Sequence, residues 1–252
     1  RRFAGVIRRA HEKTGERVAI LIDEYDKPML QAIGDQKRQD SFRSTLKAFY
    51  GALKSEDGHI KFALLTGVTK FGKVSVFSDL NNLEDISRDE AYYDICGISE
   101  KELIDNFSED IQELASVNGQ TFGQACEQLK EDYDGYHFYP DSPGIYNPFS
   151  LLNTFKKKQY GHYWFETGSP TYLVELLKQH KYDLYRMAHE KTTSNVLDSI
   201  DSASTNPIPV IYQSGYLTIK GYIPEPRIYE LGFPNREVEE GFMNFLLPYY
   251  TP

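Results

Sequence analysis

Five consecutive apolar residues, Val18-Ala-Ile-Leu-Ile22, run directly into the acids Asp23 and Glu24, with Tyr25 and Asp26 behind them. An unbroken, branched apolar run of this length reads as a strand buried on both faces, the usual condition of a central strand in a parallel sheet. The acids then stand at its carboxyl end, the edge at which open α/β sheets bind ligands. A strand-end Asp there holds Mg²⁺ through water in P-loop nucleotidases, and a following Glu can polarise the attacking water. The pattern is that of a Walker B strand. The alternative is a buried strand that merely closes in a solvated acidic turn.

A second strand is predicted over Ile60-Lys-Phe-Ala-Leu-Leu65, ending in Thr66-Gly67. A hydroxyl at the end of a strand beside Walker B is suited to sensing the γ-phosphate or the attacking water, which makes Thr66 a candidate. Thr also suits a strand end for its shape alone. Around the two strands, apolar residues at Phe3, Val6, Ile7 and Ala10 predict a helix over Phe3 to Thr14 that closes at Gly15. Pro28 is placed to open a short helix, and Phe42, Leu46, Phe49, Tyr50 and Leu53 share one face of a helix over Ser41 to Leu53.

The segment Gly67-Val-Thr-Lys-Phe-Gly72-Lys73-Val74 matches G-x-x-x-x-G-K and fails at the next position. Val74 cannot supply the hydroxyl that Ser or Thr gives to Mg²⁺, and the residues after it do not read as the helix whose amino end faces the phosphates. It also follows Walker B, whereas a phosphate loop ordinarily precedes it. Lys70, inside this segment, is the candidate cofactor-binding residue.

Beyond Asp94, Ser99 with Glu102 three residues on forms a capping box ahead of a helix. Helical spacing recurs over Phe122 to Tyr133 and Phe149 to Phe155, with aromatic turns between, and a further helix starts near Pro170. Lys156-Lys-Lys158 reads as complement to a helix carboxyl end, and His137 as a packed residue of an aromatic turn. Strands over Gly215 to Gly221 and Arg227 to Phe233 form a hairpin, and a closing helix runs from Arg236 to Leu247, stopping at Pro248.

Composition narrows the partners. With 28 basic against 37 acidic residues, the net charge of −9 leaves no global basic field for nucleic acid or anionic lipid. Cys96 and Cys126 stand far apart, without the spacing of a zinc site or a disulfide framework, so a reducing cytoplasm is the expected setting. No apolar run approaches the ~18 to 20 residues that span a bilayer. The first residue is Arg1, not Met, and a fragment is expected.

The chain resembles the AAA-ATPase-like family. The resemblance rests on Ile22-Asp-Glu-Tyr-Asp-Lys-Pro28, the stretch from Leu65 to Ser87, Tyr133-Asp-Gly-Tyr-His-Phe138, Tyr146-Asn-Pro-Phe-Ser150, Phe165-Glu-Thr-Gly-Ser-Pro-Thr-Tyr-Leu173, Ser214-Gly-Tyr-Leu-Thr-Ile-Lys220 and Leu231-Gly-Phe-Pro-Asn-Arg-Glu-Val238. The reading is an α/β fold, with a partial P-loop NTPase core and parallel sheet over 1–95, a helical lid over 96–180 and, from the run of helix, hairpin and helix, a winged-helix-like subdomain over 181–252. The resemblance implies ATP and Mg²⁺ as cofactors, Asp23 as the metal-orienting residue, Glu24 and Thr66 as catalytic residues, and a phosphate loop upstream of Arg1. Such proteins usually continue into a PD-(D/E)XK nuclease domain, through which alone nucleic acid would enter. A nucleotide and a protein partner or attached effector are the expected partners. The competing class is a non-enzymatic interaction module on a degenerate ATPase fold. A metal nuclease using Asp23, Asp26 and Lys27 fits poorly, since their spacing within one turn is not that of a strand-pair nuclease.

Overall fold

Alternate residues of the Val18–Ile22 run divide the first unit into a packed side and a bare one. The computed structural model describes residues 2–32, 35–70, 76, 77, 80, 82–166, 173, 177, 187, 189–198 and 206–250. The chain falls into two compact units, 1–84 with 198–203, and 85–197 with 204–252.

In the first unit, helix α1 (Arg2–Thr14) leads through a turn at Gly15 into β1 (Val18–Ile22); α2 (Lys27–Leu30) and α3 (Gln36–Ser55) follow, then β2 (Ile60–Leu65). The strands pair in parallel, with Ile20 opposite Ala63 and Ile22 opposite Leu65. Ile20 packs with Ile7, Tyr50 and Leu53, and Val18, Ile22, Ala63 and Leu65 border the same cluster. The opposite face is uncovered: Leu21 is 74% exposed and Phe62 53%. Burial of β1 on both faces is therefore corrected to burial on one. An unbroken apolar run does not tell a one-faced from a two-faced strand, and the described helices α1 and α3 form a layer on one side only. Arg8 on α1 ties that layer together by donating from Nη2 to Glu56 Oε1 at 2.7 Å, just past the end of α3.

The second unit begins with the short antiparallel pair β3 (Ile98–Ser99) and β4 (Ile145–Tyr146). Helices α4 (Glu100–Val117) and α5 (Phe122–Tyr133) each start in a capping box, Ser99 with Glu102 and Thr121 with Gln124. In α6 (Pro148–Lys157), the Asn147 side chain accepts from Phe149 N and Ser150 N. Leu103, Ile111, Leu114, Leu129, Tyr133, Leu151 and Phe155 fuse these helices into one core, each side chain contributing about 1.5–3 kcal/mol by its burial. After α7 (Tyr163–Glu166) come β5 (Glu190–Thr193), α8 (Ser194–Leu197), α9 (Ile208–Gln213), β6 (Thr218–Ile223), β7 (Ile228–Gly232) and α10 (Arg236–Tyr250). The hairpin β6–β7 forms as predicted, and β5 adds to it in the order β5-β7-β6, all antiparallel.

Helix α10 continues past Pro248 to Tyr250, which corrects the predicted stop. Proline costs the helix one N–H···O bond, but its locked φ of about −65° is itself a helical angle, so the last turn can still form. The helix predicted near Pro170 and the segment 71–75 lie largely outside the described residues. Among the described residues, no helix is long and apolar enough to cross a membrane.

Candidate functional site

Parallel pairing brings the carboxyl ends of β1 and β2 side by side, and the ladder runs on beyond both strands. Thr66 N donates to Ile22 O at 2.8 Å and Tyr25 N to Thr66 O at 2.9 Å. This register sets Thr66 beside Asp23, and its hydroxyl donates to Asp23 Oδ1 at 2.6 Å. The same oxygen accepts from Glu24 N at 2.9 Å. Glu24 itself has φ of 54°, a left-handed backbone that a Glu rarely adopts and that costs about 1–3 kcal/mol. Its carboxylate lies 2.6 Å from the Lys27 ammonium, which it holds above the usual lysine range. Both side chains of that pair are about half exposed, so solvent screens the attraction.

Asp23 and Thr66 are thus joined, and Glu24 is drawn toward Lys27. Lys70, by contrast, ion-pairs with Asp198 at 2.6 Å within the same unit. Lys73 lies outside the described residues. In the second unit, His137 Nδ1 is 2.7 Å from Ser142 O; a carbonyl only accepts, so this nitrogen carries the proton. Lys157 lies over the Tyr163 ring and Lys158 pairs with Glu113, giving the basic cluster local partners.

The role that sequence reasoning missed is that of Asp26, weighed there only as an acid of a poorly fitting metal nuclease. Asp26 is 1% exposed, and its carboxylate accepts from Val68 N at 3.2 Å and from Thr69 N and Thr69 Oγ1, both at 2.6 Å. Tyr25 OH donates to Thr69 O at 2.8 Å from the other side. Gly67 is the only residue type that fits between them, because a Cβ there would lie 2.5 Å from Asp26 Oδ1 and 2.8 Å from the Tyr25 ring. The signal in the sequence was Gly67 itself, a residue without a side chain directly after the strand-end hydroxyl.

A second constellation lies in the second unit. Glu237, 1% exposed, accepts at Oε1 from Ser150 Oγ at 2.9 Å and Trp164 N at 2.8 Å. Burial pushes its carboxyl up. Its Oε2 and the Tyr136 hydroxyl are buried with no hydrogen-bond partner among the described residues. Tyr133 OH bonds Thr154 and the backbone of Gly161, and burial pushes it up to about 12. These groups belong to packing, and no group of three or more His, Cys, Asp or Glu among the described residues could hold a metal.

An α/β unit with two parallel strands, an acid pair ending one and a hydroxyl ending the other, is the class that fold and site define. Residues 1–77 match the model of the AAA-ATPase-like family, described as a predicted AAA-ATPase, and this supports assigning the chain to that family. A protein of Azotobacter chroococcum mcd 1, described as an uncharacterized protein in vnfD 5' region, is 37% identical over 255 residues, covering 100% of this chain and 47% of the relative. The chain therefore spans about half the length of that relative. No solved structure matches it.

Proposed function

We propose that the chain is part of an ATP-hydrolysing switch in which Asp23 orients Mg²⁺ through water, Glu24 activates the attacking water and Thr66 senses the γ-phosphate. The observation that carries this reading is the Thr66–Asp23 bond of 2.6 Å at the carboxyl ends of parallel strands. The residues suit the metal: Mg²⁺ takes oxygen ligands and keeps much of its water, and both bonds to Asp23 fall on Oδ1, leaving Oδ2 without a protein partner among the described residues. Asp23 would hold Mg²⁺ through water, and the metal would supply positive charge to offset what develops on the phosphates in transfer. Glu24 leaves Lys27 at little cost, since the pair is exposed, and its carboxylate then orients water and accepts its proton.

The phosphates themselves need a cradle of free N–H groups. Val68 and Thr69 do not offer one, because Asp26 takes both. In this reading the cradle comes from a longer polypeptide of the kind the Azotobacter relative represents. The segment 96–180 then acts as a lid. The run of strand, two short helices and hairpin, with β5 beside β7, supports a winged-helix-like reading of the last part. Glu225, Glu230, Glu239 and Glu240 there favour a protein partner or attached effector over duplex DNA, in a cytoplasmic setting.

A purely protein-binding module is the second reading, favoured by the bare apolar face at Leu21 and Phe62. Calorimetric titration of residues 1–252 with Mg-ATP is expected to show binding too weak to saturate at millimolar nucleotide. A polypeptide of the relative's length is expected to release phosphate from ATP. Low-micromolar binding by 1–252 would place phosphate on Gly67 to Lys73 after all, and no phosphate release by the longer polypeptide would leave the interaction module standing.

A further inference from the structure

A carboxylate that is 1% exposed is stable only if donors replace its water. For Asp26 those donors come from one turn: the consecutive N–H groups of Val68 and Thr69 and the Thr69 hydroxyl. Consecutive N–H groups converging on one anion form a nest, the kind of concavity that elsewhere holds phosphate. Here the anion is the chain's own. The near-match of Gly67–Lys73 to a phosphate loop thus has a structural counterpart, an anion-binding turn whose first donors are already taken.

The turn is joined directly to the site. Thr66, exposed at the end of β2, immediately precedes the nest, and Asp26 lies three residues beyond Asp23. The single bond from Thr66 to Asp23 contributes about 0.5–1.5 kcal/mol net, too little to fix an exposed turn by itself. Three charge-assisted bonds donated to a buried carboxylate are enough.

We propose that Asp26 is a positioning residue, the resident anion of the Gly67–Thr69 nest, and that by anchoring this turn it sets the Thr66 hydroxyl against Asp23. The Asp26 carboxylate touches no reacting group; it acts through Thr66. The inference rests on the ATP-hydrolysis reading only for the consequence in turnover, and its geometry can be tested without nucleotide.

Asp26→Ala in residues 1–252 removes the anion and leaves a space of carboxylate size. Nuclear magnetic resonance is expected to show the Val68 and Thr69 amides exchanging about tenfold faster or more, with the Asp23 carboxyl carbon shifting as its bond from Thr66 loosens. Formate, a free carboxylate, is expected to restore both signals, whereas chloride at equal ionic strength does not. Should Asp26→Ala fail to fold, Thr69→Val decides: it keeps both backbone donors, removes one bond, and is expected to move the Asp23 signal in the same direction by less. An Asp23 signal unchanged in the folded variants, or altered signals that formate does not restore, overturns the proposal. In the longer polypeptide, Asp26→Ala is expected to lower phosphate release with partial recovery in formate. Absence of release from the unaltered polypeptide would count against the hydrolysis reading alone, since the resonance measurements stand apart from it.

Discussion

Glu24→Gln in a polypeptide that hydrolyses ATP is expected to leave nucleotide bound while turnover falls by about 10²- to 10⁴-fold, the usual worth of a group that positions water and accepts its proton. Gln keeps the size of Glu and most of its hydrogen-bonding capacity but loses the charge that polarises the water. It also releases Lys27, whose partner at 2.6 Å is the Glu24 carboxylate, but that exposed pair contributes too little to disturb the fold. Asp23→Asn behaves differently. Its Oδ1 accepts from Thr66 and from Glu24 N, so an amide oxygen can keep both bonds while the charge facing the metal is gone. Nucleotide affinity and turnover are both expected to drop. Nucleotide titration and steady-state phosphate release on the two variants separate the roles, and wild-type turnover in both would leave the strand end a structural feature.

The second large effect is expected in the other unit, from Glu237. Glu237→Ala removes the buried acceptor of the Ser150 hydroxyl, leaves Trp164 N–H only its longer bond to Ser150 Oγ at 3.2 Å, and opens a space in the first turn of α10. With about 1–3 kcal/mol for the orphaned hydroxyl and a further cost for the cavity, a loss of about 2–4 kcal/mol is expected in urea unfolding. Glu237→Gln retains an acceptor oxygen for both donors and should be nearly neutral. The two substitutions also differ from wild type in their response to pH. Burial raises the Glu237 carboxyl above its ordinary 4.5, so the folded state holds the proton more tightly than the unfolded state does. Its contribution to stability is fully present below about 4.5 and is lost as pH rises through the folded value. Stability of Glu237→Gln relative to wild type should therefore increase as pH is raised from 4 toward neutrality. A flat difference across that range would mean that the carboxyl ionises as freely inside the fold as outside it.

What was legible in the sequence was what neighbouring residues decide among themselves. The capping box of Ser99 with Glu102, the helix from Phe122 to Tyr133 and the two apolar runs at Val18 and Ile60 carry their signals within a few residues, and each appears as an element. Strand β5 was missed because Glu190-Lys-Thr-Thr193 is short and polar, and only its pairing with β7, nearly forty residues on, makes it a strand. Asp23, Glu24 and Thr66 were legible as a strand-end pattern, since parallel pairing of two apolar runs leaves little choice about which ends meet. Asp26 was not, because an Asp before Lys-Pro looks like any solvated turn until the loop after β2 folds over it. Lys70 illustrates the converse: its place in a motif drew attention to it, while its carboxylate partner lies 128 residues away in the chain.

The one-sided packing of β1 and β2 bears on how molecules of residues 1–252 behave toward one another. Among the described residues the sheet has two strands, and Leu21 and Phe62 stand exposed on its bare face. A net charge of −9 holds such molecules apart in dilute buffer. That repulsion reaches only about 10 Å at 0.1 M salt and about 3 Å at 1 M, whereas the cohesion of apolar surface does not weaken with added salt. Self-adhesion of residues 1–252 through this face is therefore expected to rise with ionic strength, which light scattering between about 0.1 M and about 1 M salt checks.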